Sequence, residues 1–327
     1  MPVIDVHTHM LSDAWLGLLK ARGGPRYTIG EVAGGQQAVH LGGAPFMTLT
    51  PGMFDYALRL RDMDAAGVDI AIVSLTCPNV YWGTAETSAE AARIINDDMA
   101  AAQNAFPGRI RWFCSLPWQH GDLALDELAR ACDRGAVGVM VLANVAGTSL
   151  TEPGFAPIWA EINRRRLPVL VHPTVPQGAA EMALGPYNLI ASVGFMADTT
   201  LAVTRLIFDG FLDRYPDLKL IAAHGGGTLP YIAGRLDRCY DQMPACRARI
   251  GEPPSSYLRR IYYDTVVYTP EALALCITVA GADRVLYGSD YPHNIGDMKG
   301  CLARVDGLPS EQRRGVRGEN ARRIFGL

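Results

Sequence analysis

Eight short apolar runs rich in β-branched residues, separated by segments of helical periodicity, constrain this chain more than any other feature. The runs cover 3–9, 70–75, 110–117, 137–143, 168–173, 218–225, 261–265 and 285–290. They are apolar nearly throughout, as parallel strands covered on both faces are. Between the second and third runs, Ile95, Met99, Ala102 and Phe106 fall on one helix face. Pro107-Gly108 then ends that helix. Leu125, Leu128 and Cys132 mark the next helix, and Phe155, Ile158, Trp159 and Ile162 the one after, with a further helical pattern over 201–212. Strand alternating with helix eight times predicts a (β/α)8 barrel. An open doubly wound sheet is the alternative, but no GxGxxG follows any of the runs. At 327 residues, the chain is read as one barrel domain over 1–327, in line with the length of known barrels.

Three stretches are too long to be ordinary connections: 10–50, 174–198 and 237–260. The first two follow strands 1 and 5, so they are expected to be insertions at the C-terminal mouth, where long loops form lids and substrate walls. Composition narrows the class further. With 49% hydrophobic residues, the chain can bury a large core without disulfides. A net charge of -3, from 30 basic and 33 acidic residues, offers no basic field for a polyanion, so nucleic-acid binding is not expected. The seven cysteines, at 77, 114, 132, 239, 246, 276 and 301, form no CxxC pair and read as reduced thiols. No apolar run approaches the length of about 18 residues that a membrane span requires, so no membrane is expected. The opening MPVIDVH has no basic segment and already reads as a strand, which argues against a signal peptide. A cytoplasmic protein is the resulting expectation.

The histidines carry the chemistry. His7 and His9 close the first run with period 2, so both rings face the same side. His172 closes the fifth run and His224 the sixth, while Asp290 closes the eighth. Five polar groups therefore sit at the strand ends where barrel enzymes keep their sites. A lone HxH is weak evidence, since such pairs are usually surface or satisfied core residues; the joint pattern is what points to a metal. His7, His9, His172 and Asp290 are expected to hold one divalent ion, zinc or alternatively manganese. His224 is expected to be an acid/base beside it, or a ligand of a second ion. His293 follows Asp290 closely enough to line the mouth, and Asp264, ending the seventh run, can orient a ligand. His40 and His120 read as solvated. Arg164, Arg165 and Arg166 read as a helix-end charge cluster, and Gly225, Gly226 and Gly227 as a place of close backbone approach.

Together, HTH at 7–9, VHP at 171–173, AHGGGTLPYIAGRLDR at 223–238 and YGSDYPH at 287–293 resemble the amidohydrolase superfamily. The resemblance is to the branch of 2-amino-3-carboxymuconate-6-semialdehyde, γ-resorcylate and 5-carboxyvanillate decarboxylases. It extends to RLRDMDAAGVDIAIVSL at 59–75 and ENARRIFGL at 319–327. It implies a barrel with one zinc or manganese on His7, His9, His172 and Asp290, with His224 and Asp290 as the catalytic pair. The implied reaction is non-oxidative decarboxylation of a small aromatic or unsaturated carboxylic acid, with His224 activating water or substrate at the metal. The alternative is a hydrolase or hydratase acting on a lactone or unsaturated diacid.

Two departures from that branch bear on the substrate. The arginine that the family places in its first long loop falls here on Met47, and no arginine lies between Arg26 and Arg59. Tryptophans expected after the fifth strand are replaced around Asn188 and Ala191. Both point to a less charged acid. Arg235 matches the family's arginine that reaches into a neighbouring subunit, which implies a homodimer. Phe46, Met47, Tyr81, Trp82, Tyr187, Arg235 and His293 are the substrate-binding candidates, with Phe195 and Tyr291 as further wall residues.

Overall fold

The computed structural model describes residues 2–32 and 34–327. Eight parallel strands form one sheet: β1 Ile4–His9, β2 Ile70–Ser74, β3 Ile110–Cys114, β4 Gly138–Leu142, β5 Pro168–His172, β6 Lys219–Ala222, β7 Tyr262–Asp264 and β8 Val285–Leu286. Each of the eight predicted runs supplies one strand, in sequence order. The sheet closes where β1 meets the chain leaving β8. Val6 N donates to Tyr287 O at 3.0 Å, Asp290 N to His7 O at 2.8 Å and His9 N to Tyr291 O at 2.7 Å. Helices cover the outside, among them Ala85–Ala105, Gly121–Asp133, Ala156–Arg165, Phe195–Phe208, Leu229–Gln242, Pro270–Ala280 and Met298–Asp306. This is the (β/α)8 barrel.

The predicted helix face is the one that packs. Ile95, Met99 and Ala102 of Ala85–Ala105 are buried, and Thr84 caps the helix by accepting from Thr87 N. Between β3 and β6 the barrel is filled out by an aromatic cluster. Trp159 lies 4.9 Å from Trp118 and 5.4 Å from Phe211 between ring centroids, and its Nε1 donates to Leu150 O at 2.9 Å. Replacing Trp159 with alanine removes a fully buried ring and is expected to cost about 3–5 kcal/mol of stability. Urea unfolding followed by tryptophan fluorescence measures it.

Both predicted insertions are present. The chain after β1 forms helix Asp13–Arg22 and a three-stranded antiparallel sheet of Tyr27–Glu31, Gln37–Leu41 and Ala44–Thr48 before helix Tyr56–Ala66. The chain after β5 runs through short helical turns into Phe195–Phe208.

Three expectations are corrected. Strand β6 stops at Ala222, because His224 and the three following glycines all adopt positive φ and turn the chain sharply. After His224, the turn leaves no room for a side chain: a Cβ on Gly226 would lie 2.7 Å from the Tyr263 ring and one on Gly227 2.4 Å from Met196 O. Strand β8 stops at Leu286, so Asp290 lies beyond it, again at positive φ. Finally, one helical stretch, Pro186–Phe208, is long and apolar enough by length and composition to cross a membrane. Here it is a barrel helix, packing Ala202, Val203, Leu206 and Ile207 inward and carrying a buried Asp198 that accepts from Asn144 Nδ2 and Thr174 N.

Candidate metal centre

The ends of β1, β5, β6 and β8 converge on one buried point. Ring centroids of His7 lie 5.0 Å from His9, 5.1 Å from His172 and 4.9 Å from His224. The two β1 rings share a side as period 2 requires, with the register against β2 shifting between Asp5 and Thr8. Asp290 enters from the opposite edge of the closure. Its Oδ1 lies 3.2 Å from His9 Nε2 and 3.4 Å from His7 Nε2, and its Oδ2 3.6 Å from His224 Nε2. The Asp290 backbone is held there because Ser289 donates to Asp5 through both its N–H, at 3.1 Å, and its hydroxyl, at 2.5 Å.

Three of the four rings are anchored from behind through Nδ1. His7 Nδ1 pairs with Asp264 Oδ2 at 2.6 Å, His9 Nδ1 with Ser74 Oγ at 3.1 Å, and His172 Nδ1 donates to Pro173 O at 2.8 Å. Each therefore turns Nε2 to the centre. An outer partner of this kind fixes the tautomer and orientation of metal-binding histidines. His7 Nε2 and His172 Nε2 are buried with no hydrogen-bond partner among the described residues. Leaving two such atoms unsatisfied costs about 1–3 kcal/mol each. Two ring nitrogens and a carboxylate aimed at one buried point are the donor set of a borderline divalent cation, and the residues present fit one.

The candidate ligands fall into two groups that share Asp290. His7, His172, His224 and Asp290 offer ligand atoms all within 4.8 Å of one another, while His9 meets Asp290 and His293 within the same span. His224 differs from the other three rings in lacking an anchor. Its Nδ1 is buried and unpartnered, and its backbone N–H rather than its ring is tied to Asp264, at 2.9 Å. Asp264 thus orients two site residues, His7 through the ring and His224 through the main chain.

Charge follows this layout. Burial disfavours a proton on His7, but the Asp264 and Asp290 carboxylates outweigh it and raise the ring to about 10. Burial lowers His9 to about 3 and His172 well below the usual range. Burial also works against charge on Asp290, yet the facing His224, His7 and His9 hold it well below the usual carboxylate range. A cation binding here would meet an ionised carboxylate.

The substrate-binding candidates separate. His293 joins the site, with its ring 4.9 Å from His9 and its Nε2 3.0 Å from Thr76 Oγ1. Trp82 is core: it is buried, donates Nε1 to Asn79 O at 2.9 Å and packs edge-on against Trp15. Tyr81 is buried beside it, Met47 is buried in the antiparallel sheet, and Phe46 is half-buried there. Tyr187 is 91% exposed, because it and Asn188 both take positive φ and turn its ring outward. Arg235 is exposed on Leu229–Gln242. Neither enters this chain's own site. His40 is half-buried over Gly30, and His120 is half-buried at the start of Gly121–Asp133. Arg164 and Arg165 pair with Glu161.

Arg59 is a site-supporting residue that sequence reading missed. It is fully buried, donates to Thr8 Oγ1 at 2.6 Å, to His9 O and to Met10 Sδ, and stacks 4.7 Å from the Tyr291 ring. Arg61, two residues on, is exposed. Nothing in the local RLRD pattern separates the two.

A (β/α)8 barrel whose strand ends gather four histidines and an aspartate defines a metal-dependent barrel enzyme. Residues 4–327 match the amidohydrolase family, and the chain belongs to that family. It is 30% identical over 300 residues to 2-amino-3-carboxymuconate-6-semialdehyde decarboxylase of Dictyostelium discoideum, covering 90% of this chain and 83% of that one. It is 30% identical to γ-resorcylate decarboxylase of Rhizobium radiobacter, covering 82% and 86%. Among solved structures, 5-carboxyvanillate decarboxylase of Sphingomonas paucimobilis superposes with a TM-score of 0.87 at 25% identity, over 100% and 99% of the two chains. The chain therefore groups with the carboxy-lyases of this metal-dependent family.

Proposed function

We propose that this protein removes CO2, without an oxidant, from a small aromatic or unsaturated carboxylic acid. The single observation that carries this reading is the asymmetry of the histidines. His7, His9 and His172 are fixed through Nδ1 with Nε2 turned inward, while the His224 ring is unanchored and faces Asp290.

His7, His9, His172 and Asp290 would hold one divalent ion, zinc or alternatively manganese. Bound there, the ion supplies a double positive charge that holds the substrate's carboxylate and favours oxyanion character beside it. The chain's own groups manage the proton. Loss of CO2 leaves an electron pair on carbon, and that carbon must gain a proton. His224 Nε2 faces the ionised Asp290 at 3.6 Å and its ring has no other anchor among the described residues, so the His224 ring is the group placed to hold a proton and pass it to a substrate atom within hydrogen-bond reach. Burial of the site, with His7, His9, His172, His224 and Asp290 each no more than 6% exposed, keeps bulk water from competing.

Elemental analysis of protein purified without chelator tests this, together with CO2 release from a panel of aromatic and muconate-like acids. About one zinc or manganese per chain, CO2 release in the wild type, and a His224→Asn variant that keeps the metal but releases no CO2 are expected. Turnover of lactones or hydration of unsaturated diacids without CO2 would replace this reading with a hydrolase or hydratase.

The same reading includes a homodimer in which Arg235 serves the partner's site, supported by its exposure on Leu229–Gln242. It also includes a reducing, cytoplasmic setting, supported by seven free cysteines. Light scattering at the mass of one chain, with full activity, would refute the dimer.

A further inference from the structure

The three anchored histidines of the centre do not share one kind of outer partner. Behind His7 stands the Asp264 carboxylate at 2.6 Å, behind His9 the Ser74 hydroxyl at 3.1 Å, and behind His172 only the carbonyl of Pro173 at 2.8 Å. That carbonyl belongs to the same planar peptide group as the N–H of Thr174. The peptide is trans, so the N–H points the opposite way, where it donates to Asp198 Oδ2 at 2.9 Å. Asp198 is buried in the first turn of Phe195–Phe208. Its carboxylate is steadied by the buried Asn144, whose Nδ2 donates to Oδ1 at 3.0 Å, to Oδ2 at 3.1 Å and to Val175 O at 3.1 Å. Burial raises the carboxyl to about 6 against the pull of Thr174 N–H, Asn144 and Arg205, so it is ionised at neutral pH.

We infer that Asp198 is a positioning residue of the metal centre, acting on His172 through the Pro173–Thr174 peptide group. The inference rests on the metal-centre reading above, in which His172 Nε2 is a ligand. The line of bonds runs from the Asp198 carboxylate to Thr174 N–H, across the peptide to Pro173 C=O, and on to His172 Nδ1–H. Hydrogen bonds in such a chain polarise one another, so a carboxylate at the far end makes the carbonyl a better acceptor. A firmer bond at Nδ1 holds the proton there, keeps the Nε2 lone pair turned inward and raises its basicity towards a cation. The peptide plane sets the ring as well, because Pro173 O is the one hydrogen-bond partner of the ring among the described residues. Asp198 thus gives His172 what Asp264 gives His7, at one peptide's remove.

Competition of zinc-loaded protein against a chelator, with thermal unfolding of the zinc-free chain in parallel, tests this. Asp198→Asn removes the charge while keeping the size of the side chain, and is expected to weaken zinc binding about tenfold. The proton resonance of His172 Nδ1–H in the zinc-loaded variant should move upfield, as a weaker hydrogen bond requires. Asn144→Ala is the control. It strips the same carboxylate of its side-chain donor and frees Val175 O and Gly147 N, yet leaves the Thr174 bond in place. It should lower the melting temperature and leave zinc affinity and the Nδ1–H resonance unchanged. If Asp198→Asn does not fold, the wild type decides. Coupling is reciprocal, so zinc should slow hydrogen exchange of Thr174 N–H about tenfold beyond its effect on Gly147 N–H. Full zinc affinity in Asp198→Asn, equal losses in it and Asn144→Ala, or equal slowing at the two amides overturns the assignment. A wild type that takes up no zinc, or a His172→Ala variant that keeps its ion, fails the metal-centre reading itself and the assignment with it.

Discussion

His172→Ala is expected to lose its metal on dialysis and with it essentially all CO2 release, while remaining folded. His172 sits at the end of β5 with Nδ1 spent on the carbonyl of Pro173, its immediate neighbour. Removing the ring therefore strands no distant partner. What disappears is one inward nitrogen of the donor set. Loss of an outer partner typically weakens metal binding about 10–100-fold, and loss of a direct donor should exceed that. Elemental analysis reads the metal, far-UV circular dichroism the fold. Retention of one ion per chain in this variant would remove His172 from the site.

Asp264→Ala should act on stability and metal at once. Its carboxylate accepts from His7 Nδ1 at 2.6 Å and from the backbone N–H groups of His224, Gly225 and Val266 at 2.9, 3.0 and 3.0 Å. Alanine leaves all four buried donors without an acceptor. Breaking a buried charge pair by removing one partner costs about 3–5 kcal/mol, and the His7 ring loses the contact that fixes its tautomer. Asp264→Asn should fall between, since an amide keeps one acceptor oxygen but presents an NH2 where the other stood. Thermal unfolding with and without added zinc separates the two effects. A shift in melting with unchanged zinc affinity would leave Asp264 a purely structural residue.

Much of this was legible in the sequence because the barrel's strands are buried on both faces and its polar residues are confined to their ends. All eight strands appeared as apolar runs, and His7, His9, His172, His224 and Asp290 stood out by interrupting them. Strand limits at β6 and β8 were overextended because the continuing residues are as buried as strand residues. Only the backbone reveals that His224 and Asp290 have turned to positive φ. The supporting residues were harder to see. Asp264 could be picked out only by its place at the end of the seventh run, and the closure of the barrel is what sets it against His7; Arg59 looks like any helix-surface arginine. The aromatic wall was the least legible part. Trp82 and Tyr187 are similar tokens in similar loops, yet one packs on Trp15 and the other stands in solvent. Loop dihedrals decide that, and no periodicity encodes them.

The seam between the first and last strands has a consequence for how the molecule is made. His9 and Asp290 face each other across a separation of 281 residues, so no part of a growing polypeptide that ends before strand eight contains a complete centre. At about 5–20 residues per second of synthesis, the ribosome delivers His7 and His9 many seconds ahead of their carboxylate. Metal uptake is thus a late, nearly terminal event in biogenesis. An ion seated at the seam then ties the two ends of the ring of strands like a clasp, and its removal should let hydrogen exchange begin at β1 and β8 before it reaches the strands opposite.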